Sequence, residues 1–170
     1  MIIRIVGGIL VVAACGGFGF MMASAYRKEV NMLRQLMFLL DYMGCELQYH
    51  STPLPELCRQ AAQQATGQLQ KLFLGLSNAL EDQISPDVHQ CMCHVLSANP
   101  NIPQLVKDQF QMLGNNLGRF DMEGQLKGLE SVRSECRRNL KFLTSNQEVT
   151  LRNYQTLGLC AGAAMAILFI

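Results

Sequence analysis

Apolar positions recur along this chain at the three- and four-residue spacing of a helical face, and no stretch shows the alternation of a strand. The run from Val30 to His50 is the densest. Leu33, Leu36, Met37, Leu40, Met43, Gly44 and Leu47 make one row, and Phe38, Tyr42, Cys45 and Tyr49 make a second beside it, leaving Arg34, Asp41 and Gln48 as the polar stripe. A helix apolar over most of its circumference has to be wrapped by other helices or lie in lipid, and the interspersed charges argue against lipid. The pattern predicts the central helix of an all-α domain.

Shorter helices follow, separated by proline and glycine. Thr52-Pro53 reads as an N-cap followed by a first-position proline, with Leu54, Leu57, Cys58, Ala61 and Ala65 as the inner row and Gly67 as the stop. The next helix runs from Gln68 to about Glu81 on Leu69, Leu72, Phe73, Leu76 and Leu80. Ser85-Pro86-Asp87 restarts the pattern as cap, proline and a carboxylate near the positive helix end, and Val88, Cys91, Met92 and Val95 face inward until Asn99-Pro100. Pro103 opens a fifth helix on Val106, Phe110, Leu113 and Leu117, closed by Gly118. From Asp121, an N-cap, no proline interrupts the chain to its end. The seam of this last helix is Leu126, Leu129, Val132, Cys136, Leu140 and Leu143. Its outer side carries Arg133, Arg137 and Lys141, with Glu130 and Glu135 each three residues before an arginine.

Both ends are apolar enough to change the class of protein. Ile5 to Ala25 carries no charge and would span about 31 Å as a helix, matching the hydrocarbon core of a bilayer. From Tyr154 to Ile170 a second uncharged run extends roughly 25 Å. Arg27, Lys28 and Arg34 follow the first run, while Arg137, Arg138, Lys141 and Arg152 precede the second, so both place the middle of the chain in the cytosol and the termini outside. The expected organisation is an N-terminal transmembrane helix at 1–26, a cytosolic bundle of about six helices at 27–153, and a C-terminal transmembrane helix at 154–170. Two processing patterns compete at the N-terminus, a small-x-small site at Ala23-Ser24-Ala25 and a lipoprotein-like Val12-Ala13-Ala14-Cys15. They lead to the alternative of a lipid-anchored or secreted helical ligand-binding module. Gly158, Gly162 and Ala166, like Ala13 and Gly17 and then Gly19 and Ala23, are four apart, the small-residue spacing through which spans of two copies approach.

Of the 170 residues 49% are hydrophobic and 16% charged, with the apolar excess at the two ends. Of 14 Lys and Arg only Arg4 lies outside 27–153, which leaves thirteen against 13 Asp and Glu and no net charge there. No nucleic-acid ligand is expected. Three of the middle cysteines, Cys58, Cys91 and Cys136, fall on predicted inner rows, where unpaired thiols belong to a reducing compartment.

His89-Gln90-Cys91-Met92-Cys93-His94 is the single cluster of metal-ligand types, and a metal or redox sensor is the function it would suggest. On a helix His89 and Cys93 share one face and Cys91 and His94 another, so the four do not converge on one ion. His50 is the remaining histidine, and no phosphate-binding glycine loop is present. No catalytic constellation, cofactor site or metal site is expected, and the protein is read as a non-enzyme.

The leucine rhythm of Leu33, Leu36 and Leu40 runs into Glu46-Leu47-x-Tyr49-x-x-Thr52-Pro53-Leu54. With the Leu117-Gly118-x-x-Asp121 corner, Gln125 beyond it and a terminal span that leaves almost no tail, the chain resembles the stage III sporulation protein AB family of endospore-forming bacteria. The resemblance implies a mother-cell membrane protein of the complex that joins mother cell and forespore. It also implies a cytosolic domain similar to those of the inner-membrane platform proteins of type II secretion and type IV pilus machines, and the secretion-type ATPase stage III sporulation protein AA as partner, with other subunits of the same complex. Partner contacts are expected at Glu46, His50 and Arg59 near the first helix corner, or along the basic stripe of Arg137, Arg138 and Lys141.

Overall fold

The fold is that of a computed structural model. It describes residues 2–118 and 121–169, with side chains described for 24–118 and 121–145 and for Met21, Thr156 and Cys160. Among the described residues there are six helices and no strand: α1 Ile2–His50, α2 Leu54–Gln64, α3 Gly67–Glu81, α4 Val88–Ser97, α5 Gln104–Asn116 and α6 Met122–Phe169. The all-α expectation holds, and the helix expected at Val30 is one continuous helix from Ile2.

The chain forms two compact units, one of residues 31–140 and one made of 1–30 with 141–170. In the first, α2 packs on α3, α3 on α4 and α4 on α5. Leu33, Leu36, Leu39, Leu40, Met43 and Leu47 supply the buried row of α1. The predicted rows of the short helices are buried almost throughout, Leu54 and Leu80 being half-buried. Phe73 of α3 meets Phe110 of α5 edge to face, with ring centroids 5.1 Å apart and planes at 60°, the arrangement that the ring quadrupole favours. Ser77, fully buried on α3, donates its hydroxyl to the Pro55 carbonyl at 2.9 Å and so satisfies its polar group inside the α2–α3 contact.

The second row of α1 does not enter the core. Phe38 is 57% exposed and Tyr49 75%, Cys45 is exposed and Tyr42 half-buried. The expectation of a helix wrapped on most sides is therefore corrected. At 100° per residue the core needs only the arc centred on Leu36, which takes in Leu39, and the opposite arc stays open.

Helix starts also move from where the prolines suggested. Pro53, not Thr52, takes the N-cap position of α2, with no side-chain cap bond. Asp87, not Ser85, caps α4: its Oδ1 accepts from the His89 amide at 3.2 Å, and Ser85 Oγ accepts from the Asp87 amide at 3.3 Å. A carboxylate two residues from a free amide competes better than proline geometry alone. Gly67 opens α3 instead of stopping α2, at φ +64°, a left-handed conformation for which glycine has no Cβ penalty. Asp121 caps α6 as expected, accepting from the Gly124 amide at 3.0 Å.

In the other unit Tyr26 OH donates to the Leu143 carbonyl at 2.5 Å. Among the described residues no helix is long and apolar enough to cross a membrane. The two runs expected to span, Ile5 to Ala25 and Tyr154 to Ile170, have nearly all their side chains outside the described residues. The side chains of the Val12–Cys15 pattern and of the small-residue spacings at Ala13, Gly17, Gly19, Ala23, Gly158, Gly162 and Ala166 lie outside the described ones as well.

Candidate functional site

A groove of about 320 Å³ opens to solvent between α1 and the first turns of α6. Leu40 and Gly44 of α1 and Leu126 and Leu129 of α6 make its apolar wall, and Asp41, Cys45, Gln48, Glu130 and Arg133 make its rim. The helix period sets this up. Leu40, Gly44 and Gln48 are four apart on α1, as are Leu126, Glu130 and, after a three-residue step, Arg133 on α6. Gly44, expected within the inner row, lines the groove half-buried.

Arg133 holds the rim together. Its Nε lies 2.6 Å from Asp41 Oδ1 as an ion pair, not an aligned hydrogen bond, and its Nη1 donates to Glu130 Oε2 at 2.9 Å. The bond to Glu130 is the first cause that raises the guanidinium above its ordinary pKa, with burial opposing it and the Asp41 carboxylate adding to it. Two carboxylates thus share one cation. Asp41 is 48% and Glu130 64% exposed, so the arrangement is a wet rim and its net stabilisation is small.

The expected partner-binding residues are placed in separate settings. Glu46 pairs with His50 across one turn of α1 at 3.3 Å. Arg59 of α2 pairs with Glu81 of α3 and approaches Glu56 at 3.9 Å. The trio at the first corner is therefore not one cluster: Glu46 and His50 face each other within α1, and Arg59 is engaged with Glu56 of its own helix and Glu81 of α3, joining two helices. Arg138 donates to Glu135 at 2.6 Å. Arg137 and Lys141 are exposed, and neither makes an ion pair among the described residues. Arg137 and Arg138 belong to the unit of residues 31–140, Lys141 to the other.

The cluster on α4 divides only in part as its spacing predicts: His89 and Cys93 share a face, whereas Cys91 turns inward and His94 outward. Cys93 Sγ lies 3.8 Å from His89 Nε2, while Cys91 is buried with its thiol 3.5 Å from the Ser85 carbonyl, and His94 is exposed. Among the described residues no group of three or more His, Cys, Asp or Glu is placed to hold a metal ion. Cys58 and Cys136 are buried as expected, and burial pushes both thiols up to about 12. Thiols so protonated are poor nucleophiles.

What the sequence pattern missed is the open side of α1. The signal was present in Gly44, a glycine in the interior of a long helix, where it costs about 0.5–1 kcal/mol against alanine.

The family profile described as Stage III sporulation protein AB matches residues 4–170. Stage III sporulation protein AB of Bacillus subtilis (strain 168) is 25% identical over 171 residues, covering 99% of each chain. A solved structure of Stage III sporulation protein AB shares the fold, with a TM-score of 0.63 at 21% identity over 72% of this chain and 98% of that one.

Proposed function

We propose that this chain, which belongs to the stage III sporulation protein AB family and so acts in sporulation, is a non-enzymatic docking platform held in the mother-cell membrane at both ends. The bundle of residues 27–153 lies in the cytosol and receives the secretion-type ATPase stage III sporulation protein AA, within a complex that joins mother cell and forespore. The two uncharged terminal runs and the basic residues on their inner flanks support the anchoring and its orientation. Small-residue faces of the spans offer contacts between copies.

One observation carries the docking role. A domain that buries the predicted rows of its short helices almost throughout leaves Phe38, Cys45 and Tyr49 uncovered along one side of α1, and Cys45 also lines an open groove. Exposed aromatic side chains of this kind mark contact surfaces. Arg137 and Lys141, cations with no acid paired to them among the described residues, add an attraction for an acidic partner surface.

The test is co-purification of the ATPase with full-length protein from membranes of sporulating cells. Wild type should retain it, and the double variant Arg137→Glu, Arg138→Glu should lose it. Undiminished recovery by the variant removes the basic stripe from the contact, and failure of wild type to retain the ATPase refutes the platform.

A further inference from the structure

Glycine inside a helix has a cost, and in this bundle that cost elsewhere has a visible cause. A Cβ on Gly75 would stand 3.1 Å from Val95 Cγ1, one on Gly114 3.2 Å from the Cα of His89, and one on Gly128 2.5 Å from Asn116 Cβ. Each of those glycines lets two helices approach. Gly44 is different: a Cβ there meets nothing within 4 Å. No contact among the described residues requires position 44 to be bare, and alanine would favour the helix.

The space left bare is the wall of the α1–α6 groove. Its volume of about 320 Å³ is on the order of ten waters' share of the liquid, enough for a bulky side chain. Leu40, Leu126 and Leu129 supply the apolar part of the lining, and covering what they expose with an apolar group is favourable. The rim then specifies a charge. Arg133 is the ion-pair partner of both Asp41 and Glu130 among the described residues, which leaves the pair of carboxylates one cation short on the solvent side.

We propose that the Gly44 groove seats one large apolar side chain of a partner's helix, and that a lysine or arginine one turn along that helix lies against Asp41 and Glu130. A helix laid along α1 brings both groups to the groove because residues three and four apart share a face. Cys45 lines the groove as well, and Phe38 and Tyr49 are exposed farther round the same helix. The proposal rests on the platform reading, and the helix belongs to the ATPase.

Full-length Gly44→Leu fills the groove from inside and, since the added atoms start in open space, its thermal midpoint should equal or exceed that of wild type. ATPase capture from the same membranes should fall by roughly tenfold or more, as for loss of a central anchor. Glu130→Lys, at an exposed position, should weaken capture most at low salt. Capture by Gly44→Leu at the wild-type level overturns the inference and leaves the platform standing, whereas absence of ATPase from wild type overturns both. If Gly44→Leu unfolds, Glu130→Lys decides, and full capture by it overturns the inference. A changed oligomer mass for Gly44→Leu in detergent, with ATPase capture intact, also overturns it, because the occupant is then a second copy of this chain.

Discussion

Replacing Gly118 by alanine tests how the α5–α6 corner is built. Gly118 has φ +78°, and a Cβ there would stand 2.5 Å from Val88 Cγ2 and 3.7 Å from Leu54 Cδ2. The left-handed backbone costs an L-residue about 1–2 kcal/mol. Val88 is 8% exposed at the start of α4 with its χ1 restricted by branching, so relief of the clash costs about 1–3 kcal/mol more. The sum is roughly 2–5 kcal/mol, or about 4–20 °C in thermal midpoint for a chain of this size. Circular dichroism of the full-length protein in detergent measures it. The companion is Gly118→Ala in a Val88→Ala background, where the clash has gone and the backbone part remains, so the second alanine should cost only about 1–2 kcal/mol. An equal cost in both backgrounds refutes the steric half of the reasoning. A midpoint within about 1 °C of wild type for the single variant refutes both halves.

Asp87→Ala removes the acceptor for the His89 amide and should lower stability by about 1 kcal/mol, read in the same melts; no change would mean that the Asp87 contact does not cap α4. In cells with intact membranes an impermeant maleimide should leave Cys45 unlabelled. After permeabilisation at neutral pH it should label exposed Cys45 while Cys58 and Cys136 stay protected, and labelling of Cys45 before permeabilisation would refute the cytosolic placement. The same two thiols set a pH dependence. Pushed up to about 12 from an ordinary 9.0, they keep their protons in the fold after the unfolded chain has lost them. Their contribution is whole below about pH 9 and is lost as pH rises toward 12, and Cys58→Ala should flatten that decline.

Much of the bundle was legible in the letters. Leu69, Leu72, Phe73 and Leu76, or Val106, Phe110 and Leu113, announce their helices because a row at helical spacing has one economical burial. Phe38 and Tyr49 misled because hydrophobicity says that a side chain would gain from burial, not that the chain provides the partner. Caps slipped by one residue at Thr52, where no side chain caps the helix, and by two at Ser85, where the Asp87 carboxylate takes the free amide instead. The candidate site was less legible. Glu46, His50 and Arg59 stand close in sequence, yet Arg59 turns to Glu81, a residue whose proximity only the α2–α3 packing creates. The groove depends on Leu126 and Leu129 lining the same opening as Gly44 across more than eighty residues of chain, and no local pattern encodes that juxtaposition.

Gln109 of α5 is 2% exposed, and its side-chain oxygen accepts from the Cys136 thiol of α6 at 3.4 Å. Leucine against leucine tolerates sliding, since a shift by one turn exchanges one greasy surface for another, whereas a carbonyl has a single address. Moving α6 by one turn along α5 would strand that oxygen among hydrocarbon at a cost of about 1–3 kcal/mol. One weak, directional bond thereby works as a detent, choosing a single alignment from several that oil alone would rank as equal.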